Sequence, residues 1–135
     1  MMESIRKVIE KDLFCMQTVG IELLEINLGK AKAKLEIGER HLNGLGIIQG
    51  GAIFTLADLA LAAASNSYGT AAVLVSANIS YFKAISGGTL FAEAVEESMN
   101  PKLATYIVRI TNQENENIAL MQATVYRKKE NLKDV

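Results

Sequence analysis

The stretch HLNGLGIIQGGAIFTLADLALAAASNS, His41 to Ser67, joins a glycine-rich turn directly to a helix-forming run with almost no polar face. Its alanines, Ala52, Ala57, Ala60, Ala62, Ala63 and Ala64, favour helix and let other backbone approach closely. The helix is predicted to start near Gly50 or Gly51 and to stop by Gly69, after Asn66, Ser67 and Tyr68. Apolar nearly all round, it should be wrapped by sheet on most sides. Asp58 lies at its middle and is the only formally charged residue between Arg40 and Lys83. A carboxylate in apolar surroundings is costly unless it is paired, hydrogen-bonded or protonated, and such groups gather at working sites.

Outward from this helix the chain alternates. Ile21 to Asn27 and Lys30 to Ile37 form two β-runs joined at Asn27-Leu28-Gly29, and the second puts lysines on one face and apolar groups on the other. Four more runs follow the helix: Ala71 to Phe82, Thr89 to Met99, Leu103 to Thr111 and Ile118 to Tyr126. Gly87-Gly88, Asn100-Pro101 and the polar stretch Asn112 to Asn117 connect them, so neighbouring strands are antiparallel. Before the first strand, Met2 to Phe14 reads as a short amphipathic helix, giving an N-terminal helical element over residues 1–15. Residues 128–135 read as a frayed tail. The order is that of an α+β protein, an antiparallel sheet of six strands around one long apolar helix, in a single domain over residues 1–135.

Composition excludes several classes. Lysine and arginine number 14 against 15 aspartates and glutamates, so no global field recruits nucleic acid. One cysteine, Cys15, cannot close an intrachain disulfide, and with one histidine it cannot build an ordinary zinc site. The charged N-terminus lacks the apolar core of a signal peptide, which predicts a cytoplasmic protein. Ile47 to Ala64 is shorter than the roughly 20 residues a bilayer span needs and carries Asp58, so no membrane role is expected.

The run from Asn43 to Asp58, NGLGIIQGGAIFTLAD, resembles the pattern N-G-x-G-x-x-H-G-G-x-x-F-x-L-A-D of PaaI-type hotdog thioesterases, in the 4-hydroxybenzoyl-CoA thioesterase superfamily. Asn78 to Ala84 resembles the family's strand after the helix, and the likeness spans about Gly20 to Tyr126. The resemblance implies the hotdog fold, an acyl-CoA substrate with an aryl or medium-chain acyl group, no cofactor beyond the substrate's coenzyme A, and dimers often paired into tetramers. Thioester hydrolysis needs donors where charge develops on the carbonyl oxygen and a base or nucleophile across from them. Gly50 and Gly51 are candidate backbone donors at a helix N-terminus, or else glycines that a tight turn requires. Asp58 is the candidate base or nucleophile, or else a structural carboxylate bonded to backbone or to Thr55. Asn43 is a positioning amide or a turn residue.

Gln49, a candidate polar positioning group at the catalytic site, departs from the pattern, which has His there; an amide donates hydrogen bonds but carries no titrating proton near neutral pH. This keeps open a protein that binds acyl-CoA without cleaving it. Ser76 and Asn78, placed by strand alternation on one face with Leu74, are candidates for holding substrate or water. Lys83 is a candidate for coenzyme A phosphates, and His41 reads as a surface or loop-packing residue. A hydratase on the same fold would need a catalytic His, and His41 is the only one. Gly50 and Asp58 are eight residues apart. That is about 12 Å along one helix, so each site is predicted to draw on two chains.

Overall fold

In the computed structural model, which describes residues 1–134, the alternation from Lys30 becomes a hairpin: β1 (Glu22–Asn27) pairs antiparallel with β2 (Lys30–Glu36). Ala31, Ala33 and Leu35 face the interior and are fully buried. Lys30 and Lys34 stay on the outer face, where Lys30 meets Glu93 and Lys34 meets Glu22 and Glu36. The long helix is α2 (Gly50–Ser65), followed by β3 (Thr70–Tyr81), β4 (Thr89–Met99), β5 (Leu103–Asn112) and β6 (Asn117–Asn131). All pairs are antiparallel, in the order β1-β2-β4-β5-β6-β3. This is the hotdog architecture, with α2 lying across the inner face of the curled sheet.

Alanine sets how close the helix lies. Ala31, Ala33, Ala92 and Ala94 on β2 and β4 face Ala57, Ala60, Ala63 and Ala64 of α2, all at 0–1 % exposure, and small side chains on both partners bring backbone near backbone. Leu56, Leu59 and Leu61 fill the remaining space. Each such leucine stabilises the fold by about 1.5–3 kcal/mol on burial. The wrapping is incomplete along one stripe, Gly51, Phe54, Thr55, Asp58 and Ala62, a helical spacing that leaves one face of α2 partly open.

Both termini differ from expectation. Helix α1 (Met2–Ile9) ends six residues before the predicted boundary at 15, and a separate π-helical turn spans Phe14–Val19. Asp12 is the cause, since its Oδ1 accepts the Cys15 N–H at 2.9 Å and starts the second turn in a new direction. The tail read as frayed from residue 128 instead continues β6 to Asn131, opposite Thr70 of β3. Leu132 is buried, and its N–H donates to the Gly69 carbonyl at 2.8 Å; Val135 lies outside the described residues.

Candidate active site

The loop before α2 is closed by Asn43. Its Oδ1 accepts the Leu45 and Ile47 N–H groups at 2.8 and 3.4 Å, Gly46 takes φ +77°, and Leu42 bridges to Ile48. Asn43 is thus a turn residue, and its Nδ2 donors have no acceptor among the described residues. His41 is buried rather than on the surface. One ring nitrogen accepts the Gly38 N–H at 2.9 Å, the other donates to the Val19 carbonyl at 2.7 Å, and its own carbonyl accepts the Gln49 N–H at 2.8 Å. Histidine therefore packs the loop and ties it to the N-terminal π-helical turn.

Gln49 caps α2. Its side-chain oxygen accepts the Gly51 N–H, while its backbone carbonyl accepts Ala52 N–H at 2.9 Å. Gly51 is consequently not a free donor for substrate, which corrects that expectation. Neither glycine has a positive φ, so the turn explanation fails for both. Their surroundings are close instead: a Cβ on Gly51 would stand 2.6 Å from the movable Gln49 side-chain oxygen and displace the cap, and one on Gly50 would stand 3.2 Å from the Tyr81 ring. Gly50 N–H, by contrast, has no acceptor among the described residues.

Asn43, Gly50 and Lys83 line one depression of about 360 Å³ together with Ile48, Ile53 and Tyr81. Lys83 is not a free cation, because its Nζ lies 2.6 Å from Glu116, whose carboxyl it holds below the ordinary range. Ser76 and Asn78 are elsewhere. A β-bulge between Leu74 and Ser76 breaks the alternation: Leu74 pairs with Val125, whose side chain is core-facing, whereas Ser76 and Asn78 pair with Thr124 and Gln122 on the outer face. There they border a groove with Thr105 and Arg109, remote from the helix. The two-residue period misplaced them because an inserted residue reverses every side chain beyond it.

Asp58 lies on the open stripe of α2. Burial, and after it the nearby Asp12 carboxylate, holds its proton more tightly than usual. It has no hydrogen-bond or ion-pair partner among the described residues; Thr55, the suggested structural partner, donates instead to the Gly51 carbonyl at 2.7 Å. The site thus offers an unpaired amide at a helix N-terminus and a partly desolvated carboxylate two turns along. Sequence reasoning passed over Tyr81, whose hydroxyl donates to the Gly50 carbonyl, and Asp12, whose charge acts on Asp58. No sequence signal pointed to Tyr81, because unbroken alternation from Leu74 puts it on the opposite face and only the bulge turns it inward.

The sequence pattern described as "Thioesterase superfamily" matches residues 45–119, and a "Putative esterase" of Archaeoglobus fulgidus is 39 % identical over 128 residues, 94 % of this chain and 83 % of that one. The chain belongs to the thioesterase superfamily. Another relative is "Acyl-coenzyme A thioesterase PaaI" of Escherichia coli, 32 % identical over 114 residues, 84 % of this chain and 81 % of that one. The solved structure of the E. coli PaaI protein superimposes with a TM-score of 0.90 at 27 % identity, covering 96 % of this chain and 95 % of that one. The solved structure of smu.793 from Streptococcus mutans, bound to acetyl CoA, superimposes with a TM-score of 0.78 at 26 % identity, over 82 % of this chain and 90 % of that one. Among the described residues no helix is long and apolar enough to cross a membrane.

Proposed function

We propose that this chain is an acyl-CoA thioesterase acting on an aryl or medium-chain acyl group, with Asp58 as the base that activates water. The carrying observation is Asp58 itself, a carboxylate with a raised proton affinity and no partner among the described residues, on the one face of α2 that the sheet leaves open. Water attacks the thioester carbonyl carbon and gives its proton to Asp58. The carbonyl electron pair moves onto oxygen, where Gly50 N–H stabilises it; collapse of the intermediate expels the coenzyme A thiolate, which takes the proton back. Asn43 Nδ2 and the free amide nitrogen of Gln49 orient the substrate. The acetyl CoA bound to the S. mutans protein and the acyl-coenzyme A thioesterase activity for which E. coli PaaI is named support coenzyme A as the leaving thiol. Hydration chemistry is disfavoured because both His41 ring nitrogens are engaged within the chain.

The same reading includes a homodimer, paired further into a tetramer, whose sites are shared. β3 is an edge strand bearing exposed Val73, Leu74 and Val75, with Phe82 just beyond it, an unpaired apolar ladder of the kind that recruits a second chain. Gly50 and Asp58 stand about 12 Å apart along α2, too far for one chain to serve both sides of a carbonyl unless the substrate lies along the helix. An antiparallel partner helix brings its own Asp58 opposite Gly50.

Two measurements test this. Thiol release from a panel of aryl and aliphatic acyl-CoAs should be seen for the wild type; tight binding of acyl-CoA without release identifies a binding protein instead. Mixing an inactive Asp58→Asn chain with an inactive Gly50→Val chain under subunit exchange should restore about a quarter of normal activity, since about half of the dimers are mixed and each holds one intact site. A mixture that exchanges and stays inactive confines the site to one chain.

A further inference from the structure

The start of α2 contains two consecutive glycines, the residues least able to hold a peptide plane still. A donor that stabilises a developing oxyanion must not swing, because its catalytic worth lies in being aligned before the reaction. The peptide between Gly50 and Gly51 is nevertheless held at both ends by side chains. Its N–H donates to the Gln49 side-chain oxygen, and its carbonyl, that of Gly50, accepts the Tyr81 hydroxyl at 2.9 Å. The preceding peptide is held through the Gln49 carbonyl by Ala52 N–H at 2.9 Å, which leaves Gly50 N–H as its free group. The two planes meet at the Cα of Gly50, so fixing the second limits how far the first can turn.

Tyr81 reaches this position because it is the last residue of β3, opposite Ala119, on the inward side of the strand. Its ring occupies the space that a side chain on residue 50 would need. Strand and helix are therefore tied directly at the donor.

We propose that Tyr81 is a positioning residue of the thioester site: its hydroxyl, gripping the Gly50 carbonyl against the Gln49 cap, aims the Gly50 N–H at the substrate oxygen. This rests on the reading of Gly50 as oxyanion donor. Tyr81 is half-exposed, and partial desolvation moves its phenol upward from the ordinary range, so it stays a hydrogen-bond donor across neutral and mildly alkaline pH.

The test compares wild type with Tyr81→Phe, which keeps the ring and removes the grip. With an acyl-CoA that the wild type cleaves, kcat should fall about 3- to 10-fold, the loss of one neutral hydrogen bond, while KM stays within about twofold. The pH profile should keep its shape. Amide hydrogen exchange at Gly51 should quicken by a similar factor. An unchanged kcat overturns the proposal. So does a rise confined to KM, which marks a substrate contact, and so does loss of an alkaline limb, which marks a proton donor. A wild type that cleaves no thioester refutes the thioesterase reading, and the grip is then judged by Gly51 exchange alone: unchanged exchange in Tyr81→Phe overturns it.

Discussion

The two ends of α2 are built on opposite plans. At the C-terminal end the Ala62 and Ala64 carbonyls are matched by side chains: Asn66 donates to the Ala62 carbonyl at 2.8 Å and accepts Ala72 N–H at 2.8 Å, and Ser67, fully buried, donates to Ala64 at 2.6 Å while accepting Gly29 N–H at 2.8 Å. That end is sealed into the hairpin turn and the start of β3. At the N-terminal end one amide is left free, two residues lack side chains, and the surroundings open to a depression. The same four-residue deficit of hydrogen bonds that any helix carries is thus closed where it would cost stability and left open where an anion is expected.

Breaking the open half should cost activity, and breaking the sealed half should cost stability. The largest effect belongs to Asp58→Asn, expected to reduce turnover about 100- to 10,000-fold in a thiol-release assay with the fold intact. Its stability should move the other way. Because the folded protein raises the Asp58 pKa, the group contributes stability below its unfolded value that is lost as pH rises through the folded one. Asp58→Asn should therefore melt above the wild type at pH 7, and the gap should close in acid, where both side chains are neutral in both states. Thermal melts across that range decide it.

Ser67→Ala should do the reverse. It strands the buried Gly29 N–H and removes a cap, at a cost of about 1–3 kcal/mol by denaturant unfolding, with kcat and KM unchanged. Loss of activity without loss of stability would show that the two ends are not separable.

The smallest effect is electrostatic. Asp12→Asn keeps an acceptor for Cys15 N–H and removes the charge that helps raise Asp58, so the acid limb of kcat/KM should move to lower pH. Asp12 is exposed, so added salt should shrink the difference between the two proteins. A limb that does not move would separate the N-terminal turn from the chemistry.

Periodicity and punctuation made most of the fold legible. The Gly50–Ser65 helix and all six strands lie within a few residues of their predicted bounds because alternation, alanine content and Gly or Asn stops point the same way at each. What escaped were features that act between segments. The charged run Arg127 to Glu130 looks solvated in isolation and becomes strand only through pairing with the start of β3. The N-terminal helix breaks at Asp12 because a side chain competes for backbone N–H groups. At the site, Asn43, Gly50 and Lys83 do share a depression, but Gln49, read as a departure from the pattern and a polar positioning group, is also the residue that caps the helix. Its partner in that task, Tyr81, lies 31 residues from Gly50 and could not be paired with it by spacing.

The bulge at Val75 bears on the homodimer proposed above, should it form along β3. A straight, apolar edge strand of twelve residues is a template on which sliding registers compete and growth need not stop. One inserted residue divides β3 into two short ladders offset from each other, so an incoming strand that pairs along the first half is out of step with the second unless it carries the same insertion in the matching place. Another copy of this chain does, and an arbitrary β-segment does not. In the dimer proposed above, the irregularity that misplaced Ser76 and Asn78 would work as a key against promiscuous association.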